Sequence, residues 1–224
     1  MNYIKRLIAL LTVIALILVC AGCSASSNKS NNDTASKADA TTADTATADS
    51  ASASGKAIVV YFSRTGEQYG VGVIEKGNTA IVADMIAEIK GADTFEIKPK
   101  TDTYPTTYKE LTDVAKEEQN QNARPEIASK IENFEVYDTV YLGYPIWWND
   151  LPMICYTFLE SYDFSGKTIV PFCTHEGSSD AGTQDKIQKA VPNAKVKTIL
   201  AVKGADTQNS PDSVKKTVTD WLAK

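Results

Sequence analysis

Ala57-Ile58-Val59-Val60-Tyr61-Phe62, running straight into Ser63-Arg64-Thr65-Gly66, decides the architecture of this 224-residue chain. Six apolar residues in unbroken succession, rich in β-branched side chains, fit a strand covered on both faces rather than one that alternates between core and water. Outward from it, shorter apolar runs recur at Asp93–Ile97, Thr139–Leu142, Thr168–Phe172 and Val196–Val202. The intervals between them carry the helical period instead. Ile81, Met85 and Ile89 lie four residues apart. Leu151, Ile154, Cys155, Phe158 and Leu159 form one stripe, and Val214, Val218, Trp221 and Leu222 form another. Tyr108, Leu111 and Val114 outline a helix between the second and third strands, and Ile187, Ala190 and Val191 a weaker one between the fourth and fifth. Five strands alternating with helices predict an α/β domain: parallel strands joined by right-handed crossovers, with helices on both faces. Two orders of such a sheet are common, and periodicity does not choose between them.

Ligands of open parallel sheets sit beyond the carboxyl ends of the strands, where the winding reverses. The first such loop begins Ser63-Arg64-Thr65-Gly66 and re-enters helix at Asn78-Thr79. Hydroxyls and free N–H groups beside a helix N-terminus suit a phosphate, although the same residues also serve as ordinary turn and cap chemistry. No Gly-Lys-Ser/Thr is present to mark a nucleoside triphosphate loop, and no GxGxxG to mark a dinucleotide fingerprint. The second loop, Gly143-Tyr144-Pro145-Ile146-Trp147-Trp148-Asn149, places large aromatics at a strand end, either packed under the loop or covering a flat ligand. The third, Thr174-His175-Glu176-Gly177-Ser178-Ser179, offers donors for a planar polar edge, or simply a solvated histidine.

Taken together, YFSRTG, GYPIWW and PFCTHEGS, in that order and spacing, resemble the flavodoxin-like family, over essentially all of residues 56–224. The resemblance implies a three-layer α/β/α sandwich with a five-stranded parallel sheet in the order 2-1-3-4-5, and FMN bound at the switch between the first and third strands. It implies that Ser63, Thr65, Gly66, Asn78 and Thr79 hold the phosphate, with Arg64 contributing its backbone N–H rather than its charge. Pro145, Ile146, Trp147 and Trp148 would then lie against the isoalloxazine, one tryptophan stacking on it. His175, Gly177 and Ser178 would line the pyrimidine edge. The sequence departs from the common family pattern at two places. Glu67–Gly77 is inserted into the phosphate loop, where its Tyr69, Val71, Val73 and Ile74 are suited to fold over the cofactor or to form a docking surface. Ser179 also stands where the family would have glycine. The segment from Tyr104-Pro105 to Arg124-Pro125 resembles the branch that carries such an insertion.

The first 54 residues have a different character. Lys5 and Arg6 precede an apolar run, Leu7–Val19, of thirteen residues, short of the roughly 20 that a bilayer span needs and suited to a signal peptide. Ala21-Gly22-Cys23 then resembles a bacterial lipoprotein signal, which implies removal of residues 1–22, a lipid on Cys23, attachment to the membrane and an extracytoplasmic location. An ordinary secretory signal is the alternative. Residues 24–54 contain no Val, Ile, Leu, Met, Phe, Trp or Tyr, and a segment with nothing to bury is expected to remain a disordered linker, up to residue 55. The leading 54 residues hold four Lys/Arg and four Asp/Glu, so the domain keeps 19 basic and 24 acidic groups, with no basic patch for nucleic acid. A single histidine excludes a His-rich metal site, and Cys155 and Cys173 are expected as buried free thiols. The expected function is that of an FMN-binding oxidoreductase linked to NAD(P)H or a quinone. The alternative is a flavodoxin-type carrier that docks protein redox partners without a small-molecule substrate of its own, and a third reading is a flavin-free module that keeps only the fold.

Overall fold

The computed structural model describes residues 55–224; the expectations for the leader, Cys23 and the linker lie outside the described residues. Eight strands and six α-helices follow one another along the domain. They are β1 (Lys56–Tyr61), β2 (Gly66–Gln68), β3 (Gly72–Ile74), α1 (Asn78–Lys90), β4 (Asp93–Glu96), α2 (Tyr108–Gln121), β5 (Tyr137–Pro145), α3 (Met153–Ser161), β6 (Thr168–His175), α4 (Thr183–Ala190), β7 (Lys195–Val196), β8 (Leu200–Lys203), α5 (Gly204–Asn209) and α6 (Pro211–Leu222).

The main sheet runs β4-β1-β5-β6, with β7 and β8 both pairing to the far side of β6. Every pairing in it is parallel. Counting β7 and β8 as one interrupted strand, the order is 2-1-3-4-5, the flavodoxin-like arrangement. The fifth strand differs from the expected continuous Val196–Val202. It leaves the ladder between Val196 and Leu200, and the Ile199 N–H there donates to Gln184 Oε1 of α4.

Strict alternation along the central strands builds two cores. Ile58, Val60 and Phe62 of the first strand and Val140, Leu142 and Tyr144 of β5 join one cluster with Leu111 of α2, Ile154, Cys155, Phe158 and Leu159 of α3, and Ile187 of α4. Val59, Tyr141 and Phe172 face the other way, onto Val82, Ala83 and Ile86 of α1 and Val214 and Val218 of α6. The α1 stripe is thus turned by about one residue from the expected Ile81-Met85-Ile89, which forms its half-buried flank. Cys155 and Cys173 are free and buried, and burial pushes the Cys173 thiol up to about 12, leaving it protonated at neutral pH.

The inserted segment is an antiparallel hairpin, β2 with β3. Glu67 ties it to α2, accepting the Tyr108 N–H on Oε2 at 2.8 Å while its own N–H donates to the Thr106 carbonyl. Gly66 makes this possible, since its φ is +90° and a Cβ there would meet the Thr106 carbonyl oxygen at 2.7 Å.

Candidate functional site

The carboxyl ends of β1, β5 and β6 open on one cleft. Gln68, Tyr69, Asn78, Tyr108, Pro145, Ile146, Trp147, Thr174, His175, Glu176 and Gly204 line it. It therefore brings together Asn78, Pro145, Ile146, Trp147 and His175 of the residues singled out from the sequence. Ser63, Arg64, Thr65, Gly66 and Thr79 are not in its lining, nor are the exposed Gly177 and Ser178.

The loop after β1 is bound to the start of α1. Ser63 Oγ accepts the Ala80 N–H at 3.1 Å, filling one of the vacancies that every helix N-terminus leaves. Gly77 occupies the N-cap position and has no side chain to satisfy the N–H groups of Asn78 and Thr79. The side chains of these two residues are already engaged. Asn78 Oδ1 accepts from Thr207 Oγ1 and Gln208 Nε2 of α5, and the Thr79 hydroxyl shares a 2.8 Å hydrogen bond with Thr174. The Arg64 guanidinium is likewise committed. Its Nη1 donates to both carboxylate oxygens of Asp102 at 2.8–2.9 Å, its Nη2 donates to the Tyr104 carbonyl and the group lies over the Tyr104 ring, while the buried Nε has no partner among the described residues. What this corner offers an anion is therefore backbone N–H and hydroxyl, not cationic charge.

The two tryptophans of the second loop diverge. β5 continues to Pro145, three residues past the expected strand end, and pairs there with Thr174. Trp147 and Asp150 then exchange backbone hydrogen bonds around a two-residue turn. Its central residues, Trp148 and Asn149, have φ of +49° and +59°, as a type I′ turn requires. The Trp147 ring packs edge-on to Phe62 and Tyr104, with centroids 5.4 and 5.6 Å away. Trp148 instead leans on α2. Its indole N–H donates to the Thr112 carbonyl at 2.8 Å, and its carbonyl accepts from Gln119 Nε2.

In the third loop, His175 Nδ1 accepts the Gly177 N–H at 3.0 Å, so the neutral ring carries its proton on Nε2. Burial, followed by the nearby Lys203 cation, holds its pKa below the ordinary histidine value. Glu176 accepts the Ala205 N–H at 2.7 Å, and burial raises its pKa. Ser179, where glycine was expected, has a φ of +53°. The left-handed backbone survives there without the residue that adopts it most easily.

The depressed histidine pKa has a consequence for stability. The folded value lies below the unfolded value of about 6.5, so its contribution is complete above that pH and is lost as pH falls through the folded value. Glu176, with a raised pKa, acts in the opposite sense. The contrast between wild type and His175→Gln isolates the histidine. The variant should lose less Tm than wild type between about pH 7.5 and pH 5. Parallel Tm–pH curves for the two proteins would refute this assignment.

Six cleft-lining residues lie outside the set expected from the sequence: Gln68, Tyr69, Tyr108, Thr174, Glu176 and Gly204. Gln68 and Tyr69 lie in the insertion, whose sequence suits both covering a cofactor and docking. Thr174 and Glu176 belong to the third loop, where the sequence marks neither as a ligand residue. Tyr108 and Gly204 gave no signal beyond helix and loop composition. Gln68 Nε2 is buried and has no hydrogen-bond partner among the described residues.

A family model described as Flavodoxin matches residues 56–222. A candidate flavoprotein from Bacteroides uniformis is 33% identical, with a TM-score of 0.60 over 76% of this chain and 99% of its own. A second, from Bacteroides eggerthii, is 31% identical, with a TM-score of 0.56 over 71% of this chain and 98% of its own. A flavoprotein from Lactobacillus acidophilus, solved in complex with FMN, shares the fold at 20% identity, with a TM-score of 0.54 over 69% of this chain and 97% of its own. No protein with a curated function matches the sequence.

Proposed function

We infer, from the premise that the chain belongs to the flavodoxin family, that its domain binds FMN and exchanges electrons with small acceptors outside the cell membrane. The observation that carries this reading is the position of the cleft, at the winding reversal beside β1 and β5 and next to a helix start where no side chain caps the Asn78 and Thr79 N–H groups. The residues fit FMN. Backbone N–H groups of Asn78 and Thr79, with the hydroxyls of Ser63 and Thr65, would hold the phosphate. Ile146 and Trp147 supply an apolar wall for the ring, and the proton on His175 Nε2 is available to a ring acceptor. The unspent Gln68 Nε2 donor in the cleft wall suits a ligand rich in carbonyl and ring-nitrogen acceptors. When bound, FMN supplies the redox chemistry, and the chain supplies orientation, hydrogen bonds and electrostatics.

Neutral His175 places no cation at the ring edge, and the partly buried Glu176 is disposed against extra negative charge. The carrier reading has one observation in its favour, the exposed Tyr69 and Val73 of the hairpin beside the cleft.

Membrane attachment belongs to the same proposal. It is supported by Lys5-Arg6, the apolar Leu7–Val19 and Ala21-Gly22-Cys23, followed by a linker without large apolar residues. Purified protein should be yellow, and anaerobic NADH or NADPH should bleach the flavin absorbance, with a soluble quinone restoring it. A colourless protein that takes up no FMN would refute the binding. Bound flavin that ignores both nicotinamides and quinones would favour the carrier. In the same cells, Cys23→Ala should move the protein out of the membrane fraction, and its retention there would count against the lipid.

A further inference from the structure

Beside the cleft, across the shared walls of Gln68, Tyr108, Ile146 and Trp147, lies a second cavity of about 180 Å³. Leu111, Thr112 and Ala115 of α2 close it on one side and Trp148 on another. We propose that this groove binds a neutral, planar aromatic carbonyl compound of the quinone type, held edge to edge with the ligand of the main cleft. The proposal rests on the FMN reading for its redox meaning, though not for its binding.

Three independent features point to that ligand. The first is chemical: no charged side chain lines the groove, and its walls are aromatic and aliphatic apart from Thr112 and the Gln68 amide. Such a lining disfavours a pyrophosphate-bearing dinucleotide, which would be left without countercharge, and favours an uncharged ring. The second is aromatic exposure. Of the five large apolar side chains that the described residues expose, Tyr69, Tyr108 and Trp148 all belong to the cleft or the groove. Trp148 is half exposed, although large aromatics are ordinarily covered.

The third is backbone strain. Trp148 is held at a φ of +49°, a conformation unfavourable for a bulky residue. It is kept there by its indole bond to Thr112, by the Gln119 amide on its carbonyl and by Lys116 over its ring at 5.3 Å. On the far side of the turn, the Asn149 carbonyl accepts from Lys186. A glycine would suit the turn better, so the cost is understandable if the indole itself is needed as a wall. The buried, unpartnered Gln68 Nε2 lies in the wall shared with the cleft, and its two hydrogens allow it to donate to a carbonyl oxygen in the groove as well as to a ligand of the cleft.

Calorimetric titration of the full chain, both FMN-loaded and FMN-free, with 2-methyl-1,4-naphthoquinone tests the proposal. Saturable one-to-one binding is expected in both forms. Thr112→Phe, which fills the groove from the half-exposed face of α2, should weaken it at least tenfold and leave FMN retention unchanged. Trp148→Gly should weaken it at least fivefold while relieving the turn, so that this variant does not depend on tolerance of a larger side chain. Undiminished naphthoquinone binding in both variants would overturn the site. Loss of FMN from Thr112→Phe would overturn it differently, by showing that the cofactor itself fills the groove. Naphthoquinone binding to a chain that takes up no FMN would keep the groove and remove the FMN reading.

Discussion

Gly77→Ala should cost the protein at least a hundredfold in FMN affinity, about 2.7 kcal/mol, while the sheet remains folded. The cause is space, not conformational freedom, because the φ at Gly77 is an ordinary −64°. A Cβ there would lie 2.2 Å from Ser63 Oγ, 2.5 Å from the Arg64 carbonyl oxygen and 3.0 Å from the Arg64 nitrogen. Two of these three atoms are backbone, so no rotamer change can make room. The 63–66 turn must back away from α1, breaking the hydrogen bond from Ala80 to Ser63 and dispersing the N–H and hydroxyl groups proposed to meet the phosphate. Because those groups act as one cradle around a charged ligand, the loss should exceed that of a single neutral hydrogen bond. Fluorimetric titration of the FMN-free variant gives the affinity, and circular dichroism establishes that it is folded. Wild-type affinity in a folded Gly77→Ala protein would place the phosphate elsewhere.

Gly143→Ala should produce the largest loss of stability for one added methyl group, about 3 kcal/mol. Gly143 sits in the central strand β5, opposite Phe172 of β6. An added Cβ would fall 2.1 Å from Phe172 Cζ and 2.3 Å from Cε2. Phe172 is fully buried against α1 and α6, and a close-packed core gives the ring nowhere to retreat. Urea unfolding should show a lower midpoint with an unchanged slope. Phe172→Leu shortens the offending ring, so the double variant should be more stable than the sum of the two single losses predicts. Strict additivity would mean that the strand shifts instead and that this contact does not limit the packing.

Much of this protein could be read from its residues alone. The unbroken Ala57–Phe62 run forces a strand covered on both faces, and the 3.6-residue stripes of α3 and α6 dictate which sides of those helices are buried, because both follow from local periodicity. The loops that cluster at the strand ends were also legible. Once five parallel strands are wound in the order 2-1-3-4-5, the ends of β1, β5 and β6 must meet. Other features depend on partners distant in sequence. Asn78 reads as a ligand residue, yet its carboxamide is claimed by Thr207 and Gln208, about 130 positions away. Trp147 and Trp148 are neighbours of one type, and only the type I′ turn, locked by α2, sets one in the wall between cleft and groove and the other in the groove alone. Tyr108 reads as a helix-face tyrosine, and it is Glu67 of the hairpin, accepting its N–H, that holds the start of its helix beside the cleft. The sequence by itself determined the strands, the helices and the end of the sheet where a ligand belongs, because those depend on spacing along the chain. Which side chains remain available to that ligand was decided only by tertiary structure, since a polar group's use is set by the nearest partner in space.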